Sequence, residues 1–161
     1  MADEKVALVV GAGNATGGAV AKRFAADGFS VCVTRRNRDK LDTLVSEIEA
    51  DGGSVYPFGS DARREDQVEA LINEIETNIG PIEVAVYNVG GNVRFSILET
   101  TSRVYFKVWE MACFGGFLLG REVAKRMVTR KQGTIIFTGA TASLRGGDGF
   151  AAFSGGKHAL R

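Results

Sequence analysis

The sequence has little net charge and no long hydrophobic run, and each absence excludes a class of partner. Its 20 lysines and arginines nearly balance 19 aspartates and glutamates, which leaves a formal net charge of +1. Nucleic acids and anionic membrane surfaces call for concentrated positive charge, so we expect neither as a partner. The longest apolar run, Met111 to Gly120, is far shorter than the roughly 20 residues that a membrane-spanning helix needs.

Cysteine and histidine are also scarce, with two and one among 161 residues. We expect Cys32 in a strand and Cys113 in an apolar helix, both as buried thiols and not as a disulfide. His158 follows Lys157 directly, so on a helix it points to a different face and has a surface or interface role. No metal site is predicted. The first five residues, MADEK, contain no apolar segment typical of a secretory signal, and a reducing, cytoplasmic location is expected.

The most informative stretch present is residues 6–24, VALVVGAGNATGGAVAKRF. The β-branched apolar run at residues 6–10 is typical of a strand that is covered on both faces of a parallel sheet. Gly11, Gly13 and Gly17 follow, and then the apolar face of a helix. Glycine permits a sharp turn and a close approach of the backbone to a ligand. The amides and the dipole of the first helical turn would then bind a pyrophosphate. The alternative is a plain strand-to-helix connection that is rich in glycine.

Strands and helices alternate along the rest of the chain without a break. The further predicted strands are residues 29–34, 54–58, 82–88 and 133–138, and the further predicted helices are residues 39–50, 65–78 and roughly 101–131. Alternating βαβ units with right-handed crossovers build a doubly wound parallel sheet with helices on both faces. No internal repeat or linker is visible. We therefore expect residues 1–161 to form one dinucleotide-binding domain.

In such sheets the ligand lies beyond the carboxyl ends of the strands. Thr34, Arg35 and Arg36 follow the second strand, where a nucleotide's ribose would lie. An acidic residue there would accept hydrogen bonds from a ribose 2′-hydroxyl, whereas arginine complements a 2′-phosphate. The alternative is that both arginines are solvated loop charges, an interpretation that we favour for Arg35 but not for Arg36. Asp61 follows the third strand and Asn88 the fourth.

These features together resemble the short-chain dehydrogenase/reductase family. Residues 10–17 match the family's TGxxxGxG turn, with Ala15 in place of its middle glycine. Asp61 matches the family's adenine-contacting aspartate, and residues 87–90 match its NNAG strand end. The stretch FAAFSGGKHAL resembles the segment that carries the family's YxxxK motif. The resemblance covers nearly the whole chain and implies a Rossmann-type fold and a nicotinamide cofactor, with Arg36 as in NADP(H)-preferring members. The cofactor-binding residues it implies are Gly11, Gly13, Asn14, Ala15, Thr16, Gly17, Arg35, Arg36, Asp61, Ala62, Asn88, Gly90 and Lys157.

The resemblance fails at the catalytic residues. The family uses a tyrosine as general acid or base, a lysine that lowers the pKa of this tyrosine, a serine that orients the substrate, and an asparagine in a proton relay. Lys157 matches the lysine, but Phe153 occupies the tyrosine position, Ala140 the serine position and Ala112 the asparagine position. Three of the four positions therefore hold side chains that cannot transfer a proton or donate a hydrogen bond.

Other residues could compensate, and the sequence leaves these options open. Thr141 is a candidate replacement for the serine, although Thr138, Thr141 and Ser143 are each more typical of local turn bonding. Asp148 is the nearest acidic residue, but its glycine neighbours favour a solvated turn. Enoyl reductases of the family place their tyrosine seven residues before the lysine, where this chain has Phe150. Dienoyl-CoA reductases of the family also lack the usual tyrosine.

The chain stops at Arg161, within the predicted lysine helix. Because the family usually continues through two further strands and a substrate-covering loop, we expect a fragment or a truncated product. The alternative is a short form that pairs with another chain. A sheet that ends at its fifth strand leaves an apolar edge uncovered. Aromatic residues on the long helix also favour a homo-oligomer: Phe106, Trp109, Phe114 and Phe117.

Two functional hypotheses remain. The first is an NADP(H)-dependent oxidoreductase with atypical proton transfer, which would act on a carbonyl, an alcohol or a conjugated alkene of an unidentified small molecule. The second is a non-catalytic NADP(H)-binding pseudoenzyme or regulatory partner. The retained Lys157 favours the first hypothesis, and the residues at positions 112, 140 and 153 favour the second.

Overall fold

A single parallel sheet with helices on both faces organises the chain, as predicted. The computed structural model describes residues 5–161. The five strands lie in the order β3-β2-β1-β4-β5, and all their pairings are parallel. The strands are β1 (Val6–Val10), β2 (Ser30–Arg35), β3 (Ser54–Gly59), β4 (Ile82–Tyr87) and β5 (Thr134–Phe137). The reversal of strand order between β1 and β4 creates the switch point at which such sheets bind ligands.

Within the described residues, six α-helices connect and cover the strands. They are α1 (Thr16–Ala26), α2 (Asp42–Ala50), α3 (Glu65–Asn78), α4 (Ser102–Trp109), α5 (Gly115–Arg130) and α6 (Ala151–Leu160). Short 3₁₀ turns at Arg38–Leu41 and Thr141–Ser143 precede α2 and α6. Within residues 5–161, none of the helices combines the length and the apolar character that crossing a bilayer would demand.

The core lies on both faces of β1, whose five residues are all buried. Leu8 packs with α3 and α5 on one face, and Val9 packs with α1 and α2 on the other. This two-sided burial explains why β1 is continuously apolar and does not alternate with polar residues. The register pairs Val9 with Val33 of β2 and with Val86 of β4, so the three strands end together.

The structure corrects three details of the sequence-based expectations. The helix predicted over residues 101–131 is interrupted by a π-helical turn at Glu110–Phe114, and the helix predicted to start at residue 39 begins instead as a 3₁₀ turn. Cys113 lies in the π turn and is partly exposed, not buried as predicted. Neither cysteine forms a disulfide in the described part of the chain.

The edge strand β5 is exposed, as expected of a sheet that ends there. Ile136 is 44% exposed and Phe137 41% exposed. The predicted aromatic surface also lies outside the core. Phe106 and Phe117, each 55% exposed, are the ends of a run of stacked rings that passes through Trp109 and Phe114. Exposed apolar surface of this kind favours association.

Candidate functional site

The glycine turn after β1 accepts only glycine at two positions. Gly11 has φ +85°, and a Cβ there would lie 2.6 Å from the carbonyl oxygen of Asn88. A Cβ on Gly17 would overlap the carbonyl oxygen of Gly11 and would lie 2.9 Å from the Cα of Ala12. Asn88 also supports the turn, because its Nδ2 donates a hydrogen bond of 3.1 Å to the Gly11 carbonyl. The turn therefore brings the start of α1 against the ends of β1 and β4.

The start of α1 has the features of an anion site. Ala15 at its N-cap position provides no side-chain hydrogen bond, and the first turn contains no acidic residue. Asn14, Ala15 and Thr16 are exposed on the turn, whereas Gly17 is buried beneath it. Because amides at a helix start carry partial positive charge, these groups suit a phosphate.

A cavity of about 250 Å³ opens beside this turn, at the carboxyl ends of four strands. We call it the strand-end cavity. Its lining residues are Val10, Gly11, Gly13, Thr34, Arg35, Arg36, Ser60, Asp61, Ala62, Arg63, Asn88, Val89, Gly90 and Met111.

Two hydroxyl groups of this lining are buried and have no hydrogen-bond partner among the described residues: Thr34 Oγ1 and Ser60 Oγ. Thr34 is fully buried and Ser60 is 8% exposed. A buried hydroxyl without a partner costs about 1–3 kcal/mol. Polar atoms of a bound nucleotide would remove that cost, so the unsatisfied hydroxyls fit a polar ligand in this cavity.

The two arginines after β2 differ in how they are held. Arg35 is partly buried, and its Nη1 donates a 3.1 Å hydrogen bond to the carbonyl of Lys40. Arg36 is exposed, and no hydrogen bond or ion pair holds its guanidinium within residues 5–161. Its charge nevertheless helps to lower the pKa of Asp61, behind the larger effect of Arg63. Arg36 therefore presents an uncommitted positive charge to the cavity.

Asp61 is paired with a residue that the sequence analysis did not single out. Arg63 Nε donates to Asp61 Oδ1 at 2.9 Å, and Arg63 Nη2 donates to Asp61 Oδ2 at 2.6 Å. These hydrogen bonds are the main reason that the pKa of Asp61 lies below its ordinary value. Asp61 consequently remains an ionised acceptor at the edge of the cavity.

Lys157 on α6 reaches the same region from behind Gly90. Its Nζ donates to the carbonyl of Thr138 at 2.7 Å and to that of Val89 at 3.3 Å. Burial lowers the pKa of Lys157, which is 4% exposed. A Cβ on Gly90 would lie 3.5 Å from the Lys157 ammonium and 3.7 Å from the Phe153 ring. Lysine and phenylalanine therefore meet beside Gly90, although neither of them lines the strand-end cavity.

The three positions that the resemblance assigns to the family's other catalytic residues hold Ala112, Ala140 and Phe153. Ala112 is fully buried in the π turn, and Ala140 is partly exposed just before the 3₁₀ turn. Phe153 lines a second cavity of about 250 Å³, the loop cavity, together with Asn92, Thr141, Ala142, Arg145, Gly146, Gly147 and Phe150. Because Thr141 lines this cavity together with Phe153, it remains the candidate replacement for the family's serine.

The remaining alternatives are less well placed. Ser143 is buried, and its Oγ donates to the Ala140 carbonyl at 2.6 Å, which is local turn bonding. Asp148 is exposed and does not line the loop cavity. His158 is exposed, with its Nδ1 3.1 Å from the carbonyl oxygen of Ser143, which agrees with its predicted position on another face of α6.

Most predicted cofactor residues converge on one place. Eight of them line the strand-end cavity: Gly11, Gly13, Arg35, Arg36, Asp61, Ala62, Asn88 and Gly90. Sequence reasoning missed Ser60, Arg63 and Met111 in the lining. The sequence could have indicated Ser60 as a lining residue, because it is a polar residue directly after β3. Arg63 and Met111 depend on tertiary contacts that no local pattern reports.

A glycine turn at a switch point, a helix start without a cap and a polar strand-end cavity define a Rossmann-type dinucleotide-binding protein. Residues 5–161 match the short chain dehydrogenase family. The chain belongs to this family, which binds nicotinamide cofactors.

Solved structures agree with this assignment. A short-chain dehydrogenase from Rhodopseudomonas palustris is 54% identical, with a TM-score of 0.94 over 98% of this chain and 74% of that one. An actinorhodin polyketide ketoreductase variant solved with NADPH is 29% identical, with a TM-score of 0.93 over 98% of this chain and 61% of that one. A xylitol dehydrogenase solved with NAD⁺ is 26% identical, with a TM-score of 0.93 over 98% of this chain and 61% of that one.

The chain spans between 43% and 61% of the length of the curated relatives it matches. These relatives are 28–35% identical to it.

Proposed function

We propose that the chain is an NADP(H)-dependent oxidoreductase of the short-chain type, in which proton transfer departs from the family's usual route. The observation that supports NADP(H) as the cofactor is the guanidinium of Arg36, which no described contact holds, at the strand-end cavity. The hydroxyls of Thr34 and Ser60, which lack hydrogen-bond partners among the described residues, line the same cavity. A 2′-phosphate accepts hydrogen bonds from groups of both kinds. No acidic residue follows β2 directly to repel it.

The residues that would hold this cofactor follow from their positions. The glycine turn and the start of α1 would hold the pyrophosphate, Asp61 and Ala62 would contact the adenine, and Asn88, Gly90 and Lys157 would contact the nicotinamide riboside. When bound, the cofactor supplies or accepts a hydride. Lys157 would orient the adjoining ribose through its ammonium, which donates to the carbonyls of Val89 and Thr138.

Phe153, Ala140 and Ala112 provide no proton in this arrangement. Among the side chains that the structure places beside Gly90, Lys157 is the one that can hold or release a proton. Its pKa is lowered by burial, which makes release easier. The proton that accompanies hydride transfer to a carbonyl or a conjugated alkene therefore comes from Lys157 or from solvent in the loop cavity.

The same apolar positions favour a second candidate function. A pseudoenzyme or regulatory partner needs the strand-end cavity but not the tyrosine, serine or asparagine. For either function we propose a cytoplasmic homo-oligomer that associates through the stacked aromatic rings of the long helix.

Calorimetric titration with NADPH, followed by assays of NADPH oxidation, separates the two candidates. We expect NADPH to bind and simple ketones and aldehydes to remain unreduced, because loss of a general acid costs about 10²–10⁴-fold in rate. Reduction of any conjugated alkene in the substrate panel would establish the oxidoreductase. Binding without turnover on the whole panel would favour the pseudoenzyme.

The variant Gly17→Val tests the binding site itself. The added side chain would overlap the backbone at Gly11, so nucleotide binding should be lost. Gly146→Val is the matched control, because a Cβ there meets nothing within 4 Å and Gly146 lies outside the strand-end cavity. A folded Gly17→Val variant with unchanged NADPH affinity would refute the proposed cofactor site.

A further inference from the structure

Asp61 is held by far more contacts than a loop carboxylate needs, and Arg63 provides most of them. Besides the two guanidinium hydrogen bonds, the backbone N–H of Arg63 donates to Asp61 Oδ1 at 3.1 Å. The backbone N–H of Asp61 donates to Gln67 Oε1 at 2.8 Å. Only 20% of each side chain of the Asp61–Arg63 pair is exposed, so the pair is largely shielded from water.

Arg63 is itself supported from the opposite side. Its Nη1 lies 3.6 Å from Glu110 Oε2, and Lys107 Nζ donates to the same oxygen at 2.8 Å. Glu110 begins the π turn and its side chain is 18% exposed. The Arg63 guanidinium thus lies between the carboxylates of Asp61, in the loop after β3, and Glu110, in the π turn. It cannot rotate away from Asp61 without losing its ion pairs with both carboxylates.

The hydrogen bonds from Arg63 leave one acceptor site of the Asp61 carboxylate unused. A carboxylate has about four acceptor sites. Arg63 occupies two on Oδ1, through its N–H and Nε, and one on Oδ2, through Nη2. One acceptor site remains on Oδ2. Asp61 lines the strand-end cavity, so a donor on a ligand that contacts Asp61 there would use this site.

We infer that Arg63 is a positioning residue that fixes Asp61 to accept a hydrogen bond from the exocyclic amino group of the cofactor's base, and so selects adenine over bases with an oxygen at that position. This inference rests on the proposed NADP(H) function. Hypoxanthine has a carbonyl oxygen in place of this amino group and carries a proton on the adjoining ring nitrogen, N1. That oxygen would face a fixed, ionised carboxylate without a proton between them, which is unfavourable.

The electrostatics agree with this role. The hydrogen bonds from Arg63 are the main cause of the lowered pKa of Asp61, ahead of the charge of Arg36. The carboxylate therefore does not become protonated near neutral pH, and a proton on Asp61 cannot relieve the repulsion from hypoxanthine.

The test compares the affinity of the chain for NADPH and for its hypoxanthine analogue, by calorimetry at pH 7. We expect the unmodified chain to prefer NADPH by on the order of tenfold, the effect of one charge-assisted hydrogen bond. Arg63→Met should reduce this preference to about twofold by weakening NADPH alone. Arg64→Met is the matched control: Arg64 pairs with Asp66 on the surface, lies outside the cavity, and should leave both affinities unchanged.

Arg63→Lys separates geometry from charge and is the variant that best preserves folding. Lysine keeps the positive charge but loses the two-pronged guanidinium contact, so the preference for NADPH should fall here too. A full preference in a folded Arg63→Lys or Arg63→Met variant would overturn the positioning role. An equal loss for both cofactors would instead make Arg63 a structural support of the cavity. Failure of the unmodified chain to bind either cofactor would overturn the proposed function itself.

Discussion

Arg36→Ala is the sharpest test of the cofactor form, because it removes a charge that no described contact holds in the unliganded chain. Arg36 is exposed at the strand-end cavity. Its replacement therefore removes no ion pair of the fold, and little change in stability is expected. Any change in affinity then reports on the ligand and not on folding.

The expected magnitude follows from the chemistry of the contact. A hydrogen bond to a charged group contributes about 1.5–3 kcal/mol. The lower end applies here because Arg36 is exposed and solvent screens its charge. About 1.5 kcal/mol corresponds to roughly a tenfold loss of NADPH affinity. NADH has no 2′-phosphate, so its affinity should remain nearly unchanged.

Calorimetric titration of both cofactors at low and high salt measures this effect. The loss for NADPH should shrink as salt rises, because an exposed charge pair is screened. Arg38→Ala is the matched control, since Arg38 pairs with Asp42 and lies outside the cavity. Arg35→Ala should have the smaller effect, because the Arg35 guanidinium already bonds to the Lys40 carbonyl. Equal losses for NADPH and NADH in Arg36→Ala would refute a 2′-phosphate contact.

Three further outcomes are expected. Phe153→Tyr combined with Ala140→Ser should raise the rate of NADPH-dependent reduction of simple ketones by about 10²-fold or more, because a general acid is restored. Unchanged rates in a folded variant would show that these positions are not the catalytic ones. Light scattering should show association that Phe106→Ser and Phe117→Ser reduce, whereas a monomeric unmodified chain would contradict the proposed oligomer. Asp61→Asn should lower the free energy of unfolding at pH 7, since the hydrogen bonds from Arg63 hold the folded-state pKa of Asp61 below its ordinary value. The stabilisation by the carboxylate is present above the ordinary pKa and is lost as pH falls through the lowered one. Urea unfolding at pH 3 should therefore show a smaller difference than at pH 7, and an equal difference would contradict the charge argument.

The elements that local patterning specifies were predictable from the sequence. The β1 run, the glycine turn and α1 follow from continuous apolar burial and from glycine positions that allow no Cβ, and the structure places them where the sequence predicted. Strand bounds agree within about one residue, because glycines and prolines end the neighbouring helices.

The features that depend on tertiary contacts were not predictable. The π turn at Glu110–Phe114 is accompanied by a hydrogen bond of 2.5 Å from the Tyr87 hydroxyl of β4 to the Met111 carbonyl, across 24 positions of the chain. Helical periodicity carries no information about such a partner. The Asp61–Arg63–Glu110 arrangement likewise joins the loop after β3 to the long helix, and only the folded chain brings these charges together.

The three apolar residues at positions that the resemblance assigns to catalysis differ in how readily the fold could accommodate a polar side chain in their place. Phe153 and Ala140 are partly exposed, and the extended backbone of Ala140 (φ −156°, ψ 158°) accepts any side chain. Ala112 is different, because it is fully buried where the π turn packs on α6. A Cβ on Gly156 would lie 3.0 Å from the Ala112 Cβ, so there is no room on that side for an asparagine side chain. Overpacking of this kind costs about 1–3 kcal/mol. An asparagine at position 112 would therefore have to direct its side chain away from Gly156 to avoid this cost, and the variant that combines Phe153→Tyr with Ala140→Ser leaves alanine at the relay position.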